Sequence, residues 1–547
     1  MSESASACLR DRSPRDLFAE LALSQIPHLT HLVDRNPFSP TYGCFDREYW
    51  HYRVMDFPCG MSQESVLAFA LLYRNAYPGS SYQGWERMRE IAVAGLRFAM
   101  KAARRDGTCD DYYPYERAIG AMTFSTYACA EAYQLLELKD DAFVDFLCRR
   151  CAYLEGHNET GRLTNHQALT ALAAYTVYQI TGDDRHRRLA QDRVALTLSW
   201  QNKEEGWFQE YEGADPGYQT CTVDFLGKYH RKSGDQAVIE PLIKAAEFAW
   251  HFMHPDGSYA GEYGSRNSYH YYPHGFEILA PVSEKAAQLN DGFLRGAAAG
   301  KHYQMCDDRL CCHLVANYLQ AYDDYHPKRA APPETKAPFL RWFPAAGLAV
   351  CQSPCYYAVA NLRKGGVTKV FSPTACVGSD TGLTAELDDG RVLVSHLMDD
   401  QHTVLADEGR VRFTVTGVFS WRSQKLATPA KLILFRLLNL TLGRFFPNLL
   451  RSLLQKMLIT GKRRSPYRFK RVIEFGTQTV RVTDELPDAM PLRRLAAGSD
   501  ATSIYVAASN VFQDSVLRRP WVFAPSDVIE RSRTGGALWQ RDLGEGP

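Results

Sequence analysis

Apolar residues recur at helical spacing through most of the first 330 positions and alternate at strand spacing through most of the remainder. SVLAFALLYRNAY from Ser65, GWERMREIAVAGLRFAMKAA from Gly84 and QALTALAAYTVYQI from Gln167 each gather their apolar side chains on a helical stripe. In TGDDRHRRLA and SGDQAVIEPL a Gly-Asp stops one helix and caps the next. Helices opening just after a polar turn are expected near Met61, Glu116, His166, Tyr218, Tyr272 and Asp308. Their partners are expected near Leu17, Trp85, Ala142, Arg187, Ala237 and Lys285. Six hairpins of this kind predict an (α/α)6 toroid over residues 1–330, each pair burying its stripe against its neighbours.

The polar turns repeat as well. Glu205 to Asp224, EGWFQEYEGADPGYQTCTVD, joins one helical run to the next through an acidic, aromatic turn. Arg105-Asp106-Gly107 does the same through DYYPYER, Glu155-Gly156 through NETGRLTNH, and Pro255-Asp256-Gly257 through YAGEYGSRNSYHYY. Tyr113, Asn165, Tyr218 and His270 then stand 52, 53 and 52 residues apart. A fixed period of about 50 residues is the signature of stacked hairpins, and it puts one such turn from each hairpin at the same end. The candidate site is placed there.

From Arg329 the texture changes. RAAPPETKAPF reads as a boundary, and short β-branched and aromatic runs follow: YYAVANL, VTKVFS, RVLVSHL, RVRFTVTGVFSW, RVIEFGTQTVRVTDEL and SIYVAAS. Their spacing predicts an antiparallel β-sandwich over 331–547. One insertion, near 428–462, interrupts it. Thr428-Pro429 begins AKLILFRLLNLTLG, with Gly443 as its expected stop, and Pro447 begins NLLRSLLQKMLITG, ending at Gly461. Between Gly409 and Ile473 there is no acidic residue, while 15 Arg and Lys fall between Arg410 and Arg471. Two readings stand side by side: peripheral contact with an anionic membrane surface through 428–471, or a helical insertion packed on the toroid with its cations facing acidic loops.

Composition narrows the function classes. A net charge of +1 over 547 residues excludes a general nucleic-acid binder. The N-terminal MSESASACLRDRSPRD has no apolar core of a signal peptide, and no apolar run is long enough to span a bilayer. A cytoplasmic chain with reduced thiols is therefore expected, and its 14 cysteines include only one CxxC, Cys148 and Cys151, inside a helical run. No metal and no cofactor is expected.

The chemistry rests on the turns. Asn165 and His166 lie at a helix mouth, Tyr218 occupies the matching place one hairpin on, and Glu262, Arg266, Asn267, Tyr269, His270 and Tyr271 form a dense third cluster. Gln63, Tyr113, Tyr115, Arg117 and Glu210 are the further substrate-binding candidates. A set of Asn, His and Tyr suits β-elimination of a uronic-acid polymer. The proton on C5 becomes acidic once a donor neutralises the neighbouring carboxylate, and Tyr can serve as base or acid. A glycoside hydrolase would instead want two carboxylates about 5–5.5 or 6.5–9.5 Å apart, and Glu210, Glu212, Asp215 and Glu262 keep that option open.

In architecture and in these motifs the chain resembles the heparinase II/III and alginate-lyase-like polysaccharide lyases. In those families an Asn-His pair opens one inner helix and a catalytic Tyr follows in the next hairpin, as Asn165, His166 and Tyr218 do here. The resemblance implies that Asn165 neutralises the substrate carboxylate, that His166 assists as base or carboxylate partner, and that Tyr218 acts as base or acid. Tyr269 and His270, in DGSYAGEYGSRNSYHYY, match the family's later Tyr-His. Relatives often add a His from the sandwich, where His396 and His402 are the clustered candidates. The implied partner is an acidic polysaccharide. The basic insertion departs from a typical secreted lyase and suggests a role beside polysaccharide synthesis at the inner membrane face. A uronyl C5-epimerase, a glycoside hydrolase and a non-catalytic polysaccharide binder remain as rival expectations.

Overall fold

The computed structural model describes residues 13–544 except 303, 328, 330–336, 408, 410, 423–426, 457–460 and 499–520. The Pro- and Ala-rich boundary and the expected strand SIYVAAS fall largely or wholly outside the described residues.

Six helical hairpins occupy the N-terminal part. The outer helices are α1 (Pro14–Leu23), α3 (Glu86–Ala102), α5 (Asp141–Gly156), α7 (Asp184–Ser199), α9 (Ile239–Trp250) and α11 (Glu284–Ala298). The inner helices are α2 (Val66–Arg74, entered through a 3-10 turn over Gly60–Ser65), α4 (Ile119–Leu135), α6 (Thr164–Thr181), α8 (Pro216–Ser233), α10 (His274–Leu279) and α12 (Asp308–Asp323). Each inner helix touches the next, and α12 returns to α2 and its entry turn, so the ring closes. This is the (α/α)6 toroid.

Sequence sets the two layers apart. Outer α3 buries Met88, Ile91, Leu96 and Ala99 and leaves Arg87, Glu90, Arg97 and Lys101 in water. Inner α4 and α6 are enclosed on nearly all sides, which a helix tolerates only if its polar groups are satisfied within it. Ser125, Thr126 and Thr176 do this by donating their hydroxyls to carbonyls one turn back. Small residues let inner helices close up: a Cβ on Gly275 of α10 would lie 2.4 Å from Cα of Asp224 in α8.

Among the described residues every strand pair in the C-terminal part is antiparallel. Strands β3 (Phe339–Phe343), β4 (Leu348–Gln352), β5 (Tyr357–Asn361), β6 (Val367–Phe371) and β7 (Cys376–Asp380) form a five-stranded meander. The second sheet contains β8 (Leu383–Leu387), β9 (Val392–Val394), β11 (Arg412–Arg422), β12 (Arg464–Phe475), β13 (Val480–Leu486), β14 (Leu492–Gly498), β15 (Trp521–Phe523) and β16 (Ala537–Leu543), with β10 (Thr403–Ala406) on β11. The strand period of two explains why the meander is buried on both faces. Leu348, Val350, Tyr357 and Val359 join the toroid's core, while Ala349, Cys351, Ala358 and Ala360 face the second sheet. The meander is the middle layer, and it fixes the sandwich against one end of the ring.

The insertion forms α13 (Pro429–Leu438) and α14 (Pro447–Gln455). Thr428 caps α13 through Lys431 N–H, as its sequence suggested. Gly443 is not a stop. The chain continues through a π turn over Asn439–Gly443, and Gly443 is there because Leu450 of α14 packs at 2.9 Å from where its Cβ would be. The expected end of the second helix, Gly461, follows residues outside the described set.

Because α8 and α10 meet backbone to backbone at Gly275, Gly275→Ala is expected to push the inner ring apart. The cost should be about 1–3 kcal/mol, typical of overpacking, read as a lowered unfolding midpoint in circular dichroism. An unchanged midpoint would show that the ring yields at this contact.

Candidate active site at one end of the toroid

The mouths of α6 and α8 and the loop before α10 converge. A two-stranded hairpin, β1 (Gln209–Glu210) and β2 (Gly213–Ala214), turns at Tyr211 with φ 54° and brings Glu210 beneath the start of α6. The Asn165 backbone N–H and side-chain Nδ2 both donate to Glu210 Oε1, at 2.9 and 2.8 Å. Asn165 is fully buried, and its Oδ1 has no partner. One Nδ2 proton and the carbonyl oxygen are thus left over.

Asp215 fixes two pieces at once. It caps α8 by accepting from Tyr218 N–H at 3.0 Å, and its other oxygen accepts from Arg266 N–H at 2.7 Å. The Ser268 hydroxyl also donates to it. The Arg266 guanidinium lies 3.7 Å from the Tyr218 ring centroid and 4.9 Å from that of Tyr211, and it donates to Glu210 Oε2 at 3.3 Å. The His270 ring meets Tyr218 edge-on, with centroids 4.7 Å apart. Asn165, Glu210, Arg266, Tyr218 and His270 therefore form one continuous contact chain.

A second chain begins at His166, whose Nδ1 lies 3.0 Å from Glu159 Oε2. Arg451, from α14 of the insertion, donates to Glu159 Oε1 at 2.6 Å and lies 3.6 Å from Glu116 Oε1. Tyr113 stands beside this arginine and packs edge-on against Phe435 of α13, with centroids 5.5 Å apart. His166 and Tyr218 are half-buried, while Asn165, Arg266 and His270 are enclosed.

The electrostatics follow from burial and pairing. Burial drives the Tyr218 phenol well above its usual range, and the adjacent Arg266 pulls against that shift. Burial, with His313 and Arg266 nearby, pushes His270 well down, so it is a neutral imidazole. Burial raises Glu210, opposed by Arg266 and the Asn165 donors. Burial would raise Glu159 too, but Arg451 and His166 overcome it and hold the carboxyl near 2. Glu116 goes the other way: burial and neighbouring Asp111 lift it to about 7 against the pull of Arg451.

The remaining candidate residues are placed as follows. Gln63 spends all its polar atoms on backbone groups of Gly43, Phe45 and Gly95, so it braces the ring and presents nothing to a ligand. Tyr115 and Arg117 have φ values of 63° and 51° and wrap their backbone N–H groups around Asp110. Tyr271 turns into the core, stacked on Phe276 and Phe293 and bonded to Asn290. Tyr269 faces the meander, where its hydroxyl accepts from Lys369 at 2.9 Å. Glu262 pairs with that same Lys369. Asn267, at φ 57°, is gripped by Lys364. In the sandwich, His396 is buried with neither ring nitrogen partnered, and His402 bonds to the Arg363 carbonyl. Among the described residues no group of three or more His, Cys, Asp or Glu could hold a metal ion.

Sequence reasoning missed Glu159, Glu116, Arg451, Lys364 and Lys369. Glu159 was visible in NETGRLTNH, the same turn that ends in Asn165 and His166. Arg451 carried only a general signal, the acid-free basic run. The two lysines carried none.

No protein-family model matches the chain, and no curated protein does. Solved structures do. The xanthan lyase of Paenibacillus is similar over 88% of this chain and 46% of that one, with a TM-score of 0.50 and 11% identity. The chondroitin AC lyase of Streptomyces coelicolor A3, solved with chondroitin sulphate, covers 88% of this chain and 68% of its own, with a TM-score of 0.51 and 14% identity. The heparan sulfate lyase from Pedobacter heparinus aligns over 89% at a TM-score of 0.40, too low to carry weight. The chain spans less than half the length of the xanthan lyase. The shared property is the fold of polysaccharide lyases, a helical toroid followed by antiparallel sheets, with nothing selecting the heparinase II/III branch.

Removing Arg451 strands a buried carboxylate, so Arg451→Ala should destabilise the protein by roughly 3 kcal/mol near neutral pH. Glu159 has a depressed folded pKa, so its contribution is present above the carboxylate's ordinary range and is lost as pH falls towards about 2. The gap between wild type and variant should therefore narrow in acid. A gap that stays constant with pH in thermal melts would mean that the pair contributes nothing.

Proposed function

We propose that the protein is a polysaccharide lyase acting on a uronic-acid-containing polysaccharide by β-elimination. The observation that supports this reading over a hydrolase is the employment of the carboxylates. Glu210 is held by Asn165 and Arg266, Asp215 caps α8, Glu212 pairs with Lys462 at 2.9 Å, and Glu262 pairs with Lys369. No two of these four are left free to flank a glycosidic bond as acid and base. The partly exposed side chains are instead an imidazole and a phenol, His166 and Tyr218, backed by a buried amide and guanidinium.

In this reading Asn165 donates its spare Nδ2 proton to the substrate carboxylate, which weakens the C5–H bond. His166, whose Nδ1–H is held by Glu159, presents the lone pair of Nε2 to C5–H and takes that proton. Tyr218, kept protonated by burial, stands as the acid, and Arg266 stacked on its ring stabilises the phenolate left when that proton is given up. The C4–C5 double bond forms as the C4–O bond breaks, and the proton on Tyr218 passes to the leaving oxygen. Neutral His270 packs the phenol edge-on and holds its direction.

The test is incubation with a panel of uronate polymers while ultraviolet absorbance is followed. An unsaturated product supports the lyase. New reducing ends without absorbance mean a hydrolase, solvent deuterium at C5 without cleavage means an epimerase, and binding without turnover means a carbohydrate binder. On a cleaved polymer, Tyr218→Phe is expected to lose roughly 10²-fold or more in kcat, the size of a general acid–base loss, with binding retained. Asn165→Ala is expected to lose a similar factor. Near-normal turnover in both would move the chemistry away from these residues.

A further inference from the structure

The insertion carries its amphipathic pattern reversed. A helix packed on its own protein turns its apolar stripe inward and its charges outward. Here the inward contacts are largely polar: Arg436 pairs with Asp56 at 3.1 Å, and Arg451 reaches Glu159 and Glu116. Apolar inward contact comes mainly from Phe435 on Tyr113 and from buried Leu450. No residue of α13 is fully buried. Ile433, Leu434, Leu437, Phe445, Phe446 and Leu453 are each more than half exposed, a concentration of large apolar side chains in water on two successive helices.

Charge indicates what covers this face. Lys431, Arg444 and Lys456 are exposed among the apolar side chains, and no Asp or Glu occurs from Gly409 to Ile473. A second copy docked face to face would oppose cation to cation. A surface that offers hydrocarbon beneath a layer of negative charge satisfies both features together. No described helix is long and apolar enough to cross a bilayer, so the fitting geometry is one lying in the interface.

We propose that α13 and α14 dock the protein on an anionic lipid surface, with Leu437, Phe445 and Phe446 inserted and the basic side chains at the headgroups. The proposal is independent of the lyase reading. It adds one consequence to it: the helix that lies on the lipid also delivers Arg451 to Glu159, so the candidate site opens beside the membrane.

The experiment is flotation of the full chain with vesicles of phosphatidylglycerol and phosphatidylcholine, against vesicles of phosphatidylcholine alone. Wild-type protein is expected to float with the anionic vesicles at low salt, and to lose about tenfold or more of that binding with neutral vesicles or raised salt. A variant with Leu437, Leu438, Phe445 and Phe446 changed to Ser should stay at the bottom while keeping its melting temperature, since all four side chains are exposed. A second variant, Lys431→Glu with Arg444→Glu, should lose the anionic preference. Wild type that stays at the bottom with anionic vesicles at low salt overturns the proposal. So does flotation that survives the four substitutions. Lipid-free light scattering that gives a dimer dissolved by the same substitutions, without flotation, assigns the face to a second copy instead.

Discussion

The candidate site depends on one buried ammonium. Lys364, in the turn after β5, donates to the carbonyls of Glu262 and Gly264 at 2.6 and 2.5 Å and also to Asn267 Oδ1. All three partners are acceptors, which is the coordination of a group with three protons to give. Burial nonetheless pulls the amine down to about 7, so charge and fold are balanced against each other at this point. What the lysine holds is the loop that carries Arg266 and His270. That grip, together with the Asp215 hold on Arg266 N–H, keeps Asn267 at φ 57° and Arg266 over Tyr218. Among the described residues, the sandwich therefore shapes the site without contributing a group that is hydrogen-bonded or ion-paired to Tyr218 or Asn165.

Buried charges are costly unless each meets an opposite, and the toroid end is crowded with acids. Glu116, Glu159, Glu210, Asp215 and Glu262 all lie there, and each is answered by a cation or by backbone donors from another element. Glu210 meets Arg266, Glu159 meets Arg451, and Glu262 meets Lys369. The result is a site whose negative charges are neutralised within the protein before any ligand arrives. Such a site does not repel a polyanion.

The ring was legible because its signal is local and repeated. The six inner-helix starts could be placed from the polar turns before them and from apolar periodicity, and the 52- and 53-residue spacings of Tyr113, Asn165, Tyr218 and His270 mark turns that the fold brings to one end. Within the cluster from Glu262 to Tyr271, sequence could not say which way each side chain turns. The chain there is irregular, held at Ala260 and Asn267 by left-handed backbone, so neither period of two nor of 3.6 applies. His270 consequently meets Tyr218, while its neighbours Tyr269 and Tyr271 turn to the meander and to the core. The pairs that neutralise the acids were hidden for a different reason. Arg451 and Glu159 are 292 positions apart, and Lys364 and Asn267 are 97, distances over which no spacing rule connects two residues.

The insertion shows the same limit in sharper form. Periodicity says that a helix has an apolar face, but not which side its protein occupies. The sequence readings of 428–471 set contact with an anionic membrane surface against a helical insertion packed on the toroid with its cations facing acidic loops. Arg451 does face two such loops, at Glu159 and Glu116, but most of the leucines do not follow it inward. Arg451 is drawn inward because buried carboxylates of the toroid need neutralising. On the other helix Phe435 packs on Tyr113 and Arg436 meets exposed Asp56, and these contacts together fix the rotation of both helices. With the rotation fixed from inside, the leucines and phenylalanines have only the outside left. The exposed apolar face is thus a consequence of the charge pairing at the site, and whatever covers that face acts on the same helices that complete the electrostatics of the cleft.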